Sequence, residues 1–175
     1  GFEELYIQPA AGDSGGAVGA ALYVYNDLLG KPRTFVMEHA YWGADYDASE
    51  IRQFLNSSGI HYDEILSDEQ LTNIVVDSLI NGQVIGWFDG RFEWGPRSLG
   101  NRSILADPRT AEMKDIVNRK IKFREPFRPF APVIPSERVE EFIEFPQVEK
   151  HYPARFMLLV CPVKEDKQSI IPAVT

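Results

Sequence analysis

Through its middle the chain reads Gly90-Arg-Phe-Glu-Trp-Gly-Pro-Arg-Ser-Leu-Gly-Asn-Arg-Ser-Ile-Leu-Ala-Asp-Pro-Arg109, a stretch with four arginines and three glycines. The apolar run before it, residues 83–88, and the run 102–106 inside it have the composition of β-strands. The sequence therefore predicts two strands that are joined by a loop rich in glycine and arginine.

This loop offers several donors to an anionic ligand. Arginine presents a rigid fork of N–H groups that suits phosphate or carboxylate. Gly95 and Gly100 allow backbone amides to turn inward, and this predicts an oxyanion cradle. Ser98 and Asn101 add neutral hydrogen-bonding groups. The alternative is a structural loop whose arginines cap backbone carbonyls and pair with carboxylates such as Glu93.

A second basic segment follows, Lys120-Ile-Lys-Phe-Arg-Glu-Pro-Phe-Arg-Pro-Phe-Ala-Pro132. Lys122 and Arg124 are two residues apart in a stretch expected to be extended, so both side chains should point to the same face as exposed ligand contacts. Phe123 and Phe127 offer stacking surfaces for a nucleobase. The alternative is a proline-rich edge strand whose charges face solvent.

The charges of the chain are unevenly distributed. The net charge is -8, but residues 91–128 carry ten basic and five acidic groups, whereas the rest carries eight basic and 21 acidic groups. A basic segment in an acidic protein predicts an anion-binding face. A non-catalytic nucleic-acid-binding module that uses this face is an alternative function. Nucleic acid is the less favoured partner, because such binders usually carry an overall basic charge.

Local patterns predict the remaining elements. Asp13 stands at an N-cap position, and the boxes Asp47–Glu50 and Ser67–Gln70 open two further helices. The predicted helices cover residues 14–29, 47–56, 67–80, 110–121 and 136–143, and further strands cover 130–134 and 156–163. Helices and strands alternate without a strict βαβ order, which favours an α+β fold with a mixed sheet and flanking helices.

Other features limit the chemistry. The single cysteine, Cys161, excludes an internal disulfide framework, and its apolar run predicts a core position. The three histidines (His39, His61, His151) form no cluster in the sequence, so each is expected at the surface or in a connecting segment. No P-loop or Rossmann fingerprint occurs, and no run approaches the roughly 20 apolar residues of a membrane helix. With no export signal visible, we expect a cytoplasmic protein without membrane contact.

Two motifs, residues 95–109 and 122–132, resemble the C-terminal domain of the O-carbamoyltransferases, which act on nodulation factors and on aminoglycoside and cephamycin antibiotics. Residues 9–21 resemble the end of their actin/Hsp70-like domain. The resemblance implies the following division: 1–30 as the end of that domain, 31–44 as a linker, and 45–175 as a carbamoyl-adenylate-forming domain, incomplete at its C-terminus. The implied fold is that of threonylcarbamoyl-adenylate synthase.

The resemblance also implies an activity. Such enzymes form carbamoyl-adenylate from ATP, with Mg²⁺, and carbamoyl phosphate. They then transfer the carbamoyl group to a hydroxyl of a sugar or secondary metabolite, assisted by a divalent, iron-type metal in the actin-like domain. The N-terminal domain of the same polypeptide is thus an implied partner. A hydrogenase-maturation carbamoyltransferase is a second possibility, although its cysteine-rich zinc motifs do not occur in this sequence.

The family's functional residues map onto two elements of this chain and one outlying aspartate. Lys122 and Arg124 match the Lys-x-Arg element that meets the phosphates, and they are the implied catalytic pair. Asp13 matches an aspartate that completes the metal site. The implied nucleotide-binding residues are Arg97, Ser98, Asn101, Arg102, Lys122, Arg124 and Arg128.

Overall fold

The structure, a computed structural model, describes residues 5–175 apart from the side chain of Glu149. Residues 1–4 of the predicted segment 1–30 lie outside this range. The helices are α1 (Asp13–Tyr23), α2 (Ala48–Ser57), α3 (Asp68–Ile80), α4 (Met113–Ile116), α5 (Val139–Phe142) and α6 (Glu165–Gln168). The strands are β1 (Ile85–Phe88) and β2 (Arg102–Leu105). Single π-helical turns, Val24–Leu28 and Val117–Ile121, extend α1 and α4, and short 3-10 turns lie at Ser136–Arg138, Val148–Lys150, Tyr152–Phe156 and Pro172–Val174.

Capping residues determine where two of the longer helices begin. The Asp47 carboxylate accepts a hydrogen bond from the Glu50 amide (2.8 Å), and the Glu50 carboxylate accepts one from the Asp47 amide (2.9 Å). Ser67 Oγ accepts a hydrogen bond from the Gln70 amide at 3.4 Å. The predicted helices 47–56 and 67–80 are therefore confirmed as α2 and α3, since each cap satisfies an amide that has no partner within its helix.

The predicted cap of α1 is wrong by one residue. Gly12 takes the non-helical backbone conformation of a cap, and Asp13 is the first residue inside the helix. The predicted helix 110–121 begins late, at Met113, and finishes as the π-helical turn. The predicted helix 136–143 is confirmed as a 3-10 turn that continues into α5.

Strands β1 and β2 form an antiparallel hairpin, with Ile85 opposite Leu105 and Phe88 opposite Arg102. Helices plus this hairpin confirm the α+β class. The sheet of the described residues is smaller than predicted, because segments 130–134 and 156–163 form no ladder. Pro132 in the first segment and Pro162 in the second lack the N–H that a ladder needs, and Met157 has a left-handed backbone with φ 56°. One isolated bridge, Ile143 to Val163, remains.

Among the described residues, three small apolar clusters form the core. One, around Ile143 and Val163, includes Cys161 as a partly buried neighbour, and burial raises the pKa of its thiol. A second joins Met37 and Ala40 to Phe156. The third packs the residues flanking the open end of the hairpin against α4, and consists of Met113, Val117, Ala173, Val84, Ala106, Ile116 and Phe130. Cys161 therefore packs against the core and is only partly buried, and its thiol stays protonated at neutral pH.

Much of the apolar surface is left open. The accessible surface is 12883 Å², whereas a globular protein of this mass exposes about 8,700 Å². Helix α1 has no buried residue, although Leu22 and Tyr23 are apolar or aromatic. No helix within residues 5–175 combines the length and the apolar character needed to cross a bilayer.

Candidate ligand-binding site

The loop between β1 and β2 is organised by the carboxylate of Glu93. Its Oε1 atom accepts hydrogen bonds from three backbone amides, those of Leu99 (2.7 Å), Asn101 (2.9 Å) and Arg102 (3.2 Å). Burial by itself would raise the pKa of Glu93, but these amide bonds outweigh it and lower the pKa. The inward-facing amides of the predicted cradle therefore surround the chain's own carboxylate. We call Glu93 and these three amides the amide nest.

The segment before α2 supports the same loop from the other side. The Tyr41 hydroxyl donates a hydrogen bond of 2.6 Å to the Leu99 carbonyl, so that Leu99 is held at both its amide and its carbonyl. Burial, and then the charge of Glu93, raise the pKa of Tyr41, which keeps this donor protonated. Further backbone bonds join residues 40–44 to residues 92–94. Segment 31–44 has no helix or strand, yet it packs against the loop.

Arg102 binds the protein itself. Its guanidinium carbon lies 3.5 Å and 4.0 Å from the ring centroids of Phe88 and Phe92. Its Nη atoms donate to the carbonyls of Asp89, Gly90 and Asn101. Its Nε is buried, with no partner in the part of the chain that the structure describes. Arg102 thus closes the base of the loop, as the alternative of carbonyl-capping arginines predicted, and its role toward a phosphate stays a prediction.

The other predicted loop residues differ in whether their side chains bond to the rest of the described structure. The Asn101 side-chain amide donates a hydrogen bond of 2.8 Å to the Arg91 carbonyl. Arg97 and Ser98 are exposed, and their side chains make no hydrogen bond to other residues between 5 and 175. The loop therefore presents these two side chains as its available donors.

Arg124 is anchored to the buried Asn118. Its Nε donates a hydrogen bond of 2.6 Å to Asn118 Oδ1, and its backbone amide donates to the Asn118 carbonyl at 2.9 Å. Asn118 is 0% exposed, and its Nδ2 donates to the carbonyls of Pro126 (3.3 Å) and Arg128 (3.0 Å). The expected exposure of Arg124 is wrong, because its side chain is only partly exposed and its guanidinium helps to hold the segment after α4 in place.

Lys122 stands beside it as a cation that has no ion-pair partner among residues 5–175. Its Nζ lies 5.9 Å from the ring centroid of Phe130, and the Arg124 guanidinium carbon lies 4.8 Å from the same ring. Burial, followed by the charge of Arg124, lowers the pKa of Lys122. The two cations share a face as predicted, but not in an extended segment, because Phe123 has a left-handed backbone with φ 47°.

Around this pair, two aromatic rings are exposed and one arginine is paired. Phe123 is 84% exposed and Phe127 is 77% exposed, so both rings are open for stacking. Arg128 forms a surface ion pair of 2.8 Å with Glu125. Its predicted role in nucleotide binding would require that pair to open.

The two predicted halves of the site are attached to opposite ends of the hairpin. The loop follows Phe88 and precedes Arg102, whereas Val84 and Ala106 pack in the cluster with Phe130. Three residue steps along a strand separate these ends by about 10 Å. No hydrogen bond or ion pair in the described structure joins residues 89–101 to residues 122–128. The hairpin therefore connects the two halves of the site, and no polar contact in the described structure joins them directly.

Asp13 lies in the first turn of α1 and is exposed. The turn before it approaches the loop, because a Cβ placed on Gly95 would lie 2.7 Å from the Cβ of Ala10. Among residues 5–175, no three His, Cys, Asp or Glu side chains stand together as metal ligands. The metal role of Asp13 therefore stays a prediction.

Replacing Arg124 with alanine should destabilise the fold. Asn118 Oδ1 would lose its charged donor in a fully buried position, which should lower the free energy of unfolding by about 2 kcal/mol. Urea denaturation measures this change. In the control Arg128→Ala, loss of an exposed ion pair should cost less than about 1 kcal/mol. Equal stability of the two variants would contradict the anchoring role of Arg124.

Comparisons with known proteins give the family. The family described as "Carbamoyltransferase C-terminus" matches residues 76–175, more than half of the chain. The nodulation protein NolO of Bradyrhizobium diazoefficiens is 44% identical over 176 residues, covering 99% of this chain and 31% of the relative. The nodulation protein NolNO of Sinorhizobium fredii is 42% identical over 175 residues, covering 99% of this chain and 25% of the relative.

A 3'-hydroxymethylcephem-O-carbamoyltransferase of Streptomyces clavuligerus is 32% identical over 140 residues, covering 80% of this chain and 24% of the relative. The chain spans a quarter to a third of the length of such curated relatives, between 25% and 31% for the first three. The matched range includes both the Glu93 loop and the Lys122–Arg124 element. The chain belongs to the carbamoyltransferase C-terminus family.

Proposed function

We propose that this chain is part of an O-carbamoyltransferase and binds ATP, with Mg²⁺, during formation of carbamoyl-adenylate from ATP and carbamoyl phosphate. A hydroxyl of a sugar or secondary metabolite is the acceptor. The observation that carries the proposal is the ammonium of Lys122, which makes no ion pair with the other described residues and stands beside the anchored Arg124 within the range that matches the family. Since the reaction consumes ATP, we propose a cytoplasmic location.

The chemistry that these residues supply is electrostatic. In adenylate formation, negative charge grows on the departing pyrophosphate, and a fixed cation stabilises that charge more in the transition state than in the ground state. Arg124 is held by Asn118 and keeps its orientation, whereas Lys122 remains free to approach an oxygen atom. The exposed ring of Phe123 lies next to both cations in the chain and offers a stacking surface for the adenine.

Mg²⁺ would accompany the nucleotide and neutralise part of its phosphate charge when bound. The exposed cationic donors (Lys122, Arg97) suit phosphate oxygens, and Ser98 adds a neutral donor. The metal of the transfer step finds no ligand set among residues 5–175. We therefore assign no step of that reaction to Asp13.

The open apolar surface supports a further part of the proposal. Helix α1 buries none of its residues, and Leu22, Leu28 and Leu29 are among the exposed side chains of this region. The relatives are about three to four times as long as the segment they share with this chain. We propose that the remaining domain of a longer polypeptide, the one that would bind the hydroxyl acceptor, packs on this surface.

Isothermal titration calorimetry with ATP and Mg²⁺, with and without carbamoyl phosphate, tests the proposal. We expect saturable ATP binding that carbamoyl phosphate changes, because both ligands meet in one reaction. If neither this chain nor a longer polypeptide that includes the remaining domain binds ATP, the proposed function is wrong.

The affinity for ATP should depend on salt. Exposed cations lose attraction for phosphate as ionic strength rises, since the Debye length falls from about 10 Å at 0.1 M to about 3 Å at 1 M. Titrations at these two salt concentrations should show an affinity that falls several-fold. A constant affinity would exclude the exposed cations as the main source of binding.

A nucleic-acid-binding module remains the second candidate. The observation that favours it is the pair of exposed rings, Phe123 and Phe127, among cations, since single strands bind where bases stack on aromatic rings in a basic groove. Fluorescence anisotropy with a labelled single-stranded RNA tests this candidate. RNA binding without any ATP binding would favour it over the adenylate-forming reaction.

A further inference from the structure

We propose that Glu93 is the positioning residue of the loop, an internal anion that fills the amide nest and thereby holds Arg97 and Ser98 outward toward the ligand. The proposal rests on the proposed function for the identity of that ligand. No ligand-binding pattern in the sequence includes the Glu93 carboxylate. Its role is to shape a cationic loop.

The amide nest has the geometry of an anion-binding site. One carboxylate oxygen accepts bonds from the amides of Leu99, Asn101 and Arg102, at 2.7 Å, 2.9 Å and 3.2 Å. Converging backbone amides of this kind bind anions in many loops. Because Glu93 occupies the place of such an anion, the amides are not available to an external phosphate. Recognition of a ligand then falls to the side chains that stand outside the nest.

The amide nest leaves two polar side chains of the loop exposed. Arg97 and Ser98 lie between Glu93 and the first of the three amides in sequence, so the nest closes the chain segment that carries them. Both side chains are exposed and have no other hydrogen-bond partner in the described structure. Tyr41 strengthens this closure through its bond to the Leu99 carbonyl. An outward guanidinium on a closed loop loses less conformational entropy when it meets a phosphate than one on an open loop.

The nearby arginines of the loop do not pair with the Glu93 carboxylate. The Arg102 guanidinium is held by carbonyls and rings, and Arg109 pairs with Asp107 at 2.6 Å, so neither binds Glu93. No cation among the described residues pairs with the Glu93 carboxylate, which the amide dipoles stabilise, and the lowered pKa of Glu93 agrees with this stabilisation. The cation of Arg97 therefore remains uncompensated by Glu93 and available to an anion.

Chemical rescue tests the proposal. The variant Glu93→Ala vacates the nest, and formate is a carboxylate small enough to enter it. In wild-type protein we expect slow hydrogen exchange at the amides of Leu99, Asn101 and Arg102. In Glu93→Ala, exchange at these amides should rise at least about tenfold as the loop opens. Sodium formate should slow it again, whereas sodium chloride at equal ionic strength should not.

The second readout is the affinity for ATP with Mg²⁺. Glu93→Ala should weaken it about tenfold, because Arg97 and Ser98 lose their orientation, and formate should restore it. Glu93→Gln, which keeps an acceptor oxygen but loses the charge, should fall between. The control Glu112→Ala removes an exposed carboxylate elsewhere in the chain and should change neither readout.

The outcomes separate the two proposals. Exchange that formate does not slow would overturn the amide nest, and rescue of exchange without any change in ATP affinity would overturn the positioning role. If Glu93→Ala does not fold, Glu93→Gln supplies the same comparison, and unchanged exchange and affinity in it would overturn the role of the charge. If neither the wild-type chain nor the longer polypeptide binds ATP, the proposed function fails, and exchange with formate still decides whether Glu93 holds the loop.

Discussion

Replacing Lys122 with alanine should weaken the binding of ATP with Mg²⁺ by about 30-fold, or about 2 kcal/mol, the contribution of one charge-assisted hydrogen bond to phosphate. The ammonium of Lys122 is exposed and is engaged only by the Phe130 ring among the contacts described, at 5.9 Å. Its removal should therefore leave the free energy of unfolding unchanged. Calorimetric titration and urea denaturation measure the two effects on the same samples.

The matched control is Lys120→Ala, which removes the same charge from an exposed position two residues earlier. If only the diffuse positive potential of this region attracts ATP, Lys120→Ala and Lys122→Ala should lose affinity for ATP equally. If Lys122 contacts the phosphates, Lys120→Ala should lose less than about threefold, as expected of a screened surface charge. ATP binding of wild-type strength in Lys122→Ala would contradict the role assigned to the Lys-x-Arg element.

Replacing Gly95 with alanine should lower the free energy of unfolding by about 3 kcal/mol, which combines backbone strain with overpacking. The residue has φ 108°, a conformation that L side chains rarely adopt. The added Cβ would also lie 2.7 Å from the Cβ of Ala10, which is buried. The contact between the loop and the turn before α1 should therefore loosen, and limited proteolysis near residues 8–12 should accelerate.

Gly100→Ala separates the two causes. Its φ of 118° is equally unfavourable, but a Cβ there would lie 3.7 Å from Tyr41 Oη, an ordinary contact distance. We expect a loss of about 1.5 kcal/mol, from strain alone. If urea denaturation gives the same loss for both variants, the close approach between Gly95 and Ala10 does not contribute to stability.

Sequence patterns located much of the fold, because the signals involved are local. The Asp47–Glu50 box determines where α2 begins through bonds that span three residues. The strand-like composition of residues 83–88 and 102–106 likewise located the two strands of the hairpin. The further strands at 130–134 and 156–163 could not be judged in this way, since pairing depends on a partner that lies far along the chain. The division into 1–30, 31–44 and 45–175 stays a prediction.

The candidate site was predicted in composition but not in arrangement. The sequence identified the arginine loop and the Lys122–Arg124 element, and both lie in the range that matches the family. It did not identify Glu93 as the centre of the loop, since a glutamate among arginines suggests an ion pair. The sequence nevertheless contained a signal, the glutamate that precedes Gly95 and Gly100. A carboxylate in such a position can accept hydrogen bonds from amides that the glycines turn inward.

By itself the sequence determined the caps of α2 and α3, the α+β class and the family motifs, since each depends on residues that are neighbours in the chain. Only the tertiary structure decided which polar groups are available to a ligand. Arg102 and Arg124 are held by carbonyls and by Asn118, whereas Arg97 and Lys122 face outward. Tyr41 reaches Leu99 across 58 residues. Such contacts form only when distant segments pack together, and no local pattern encodes which donor they will leave free.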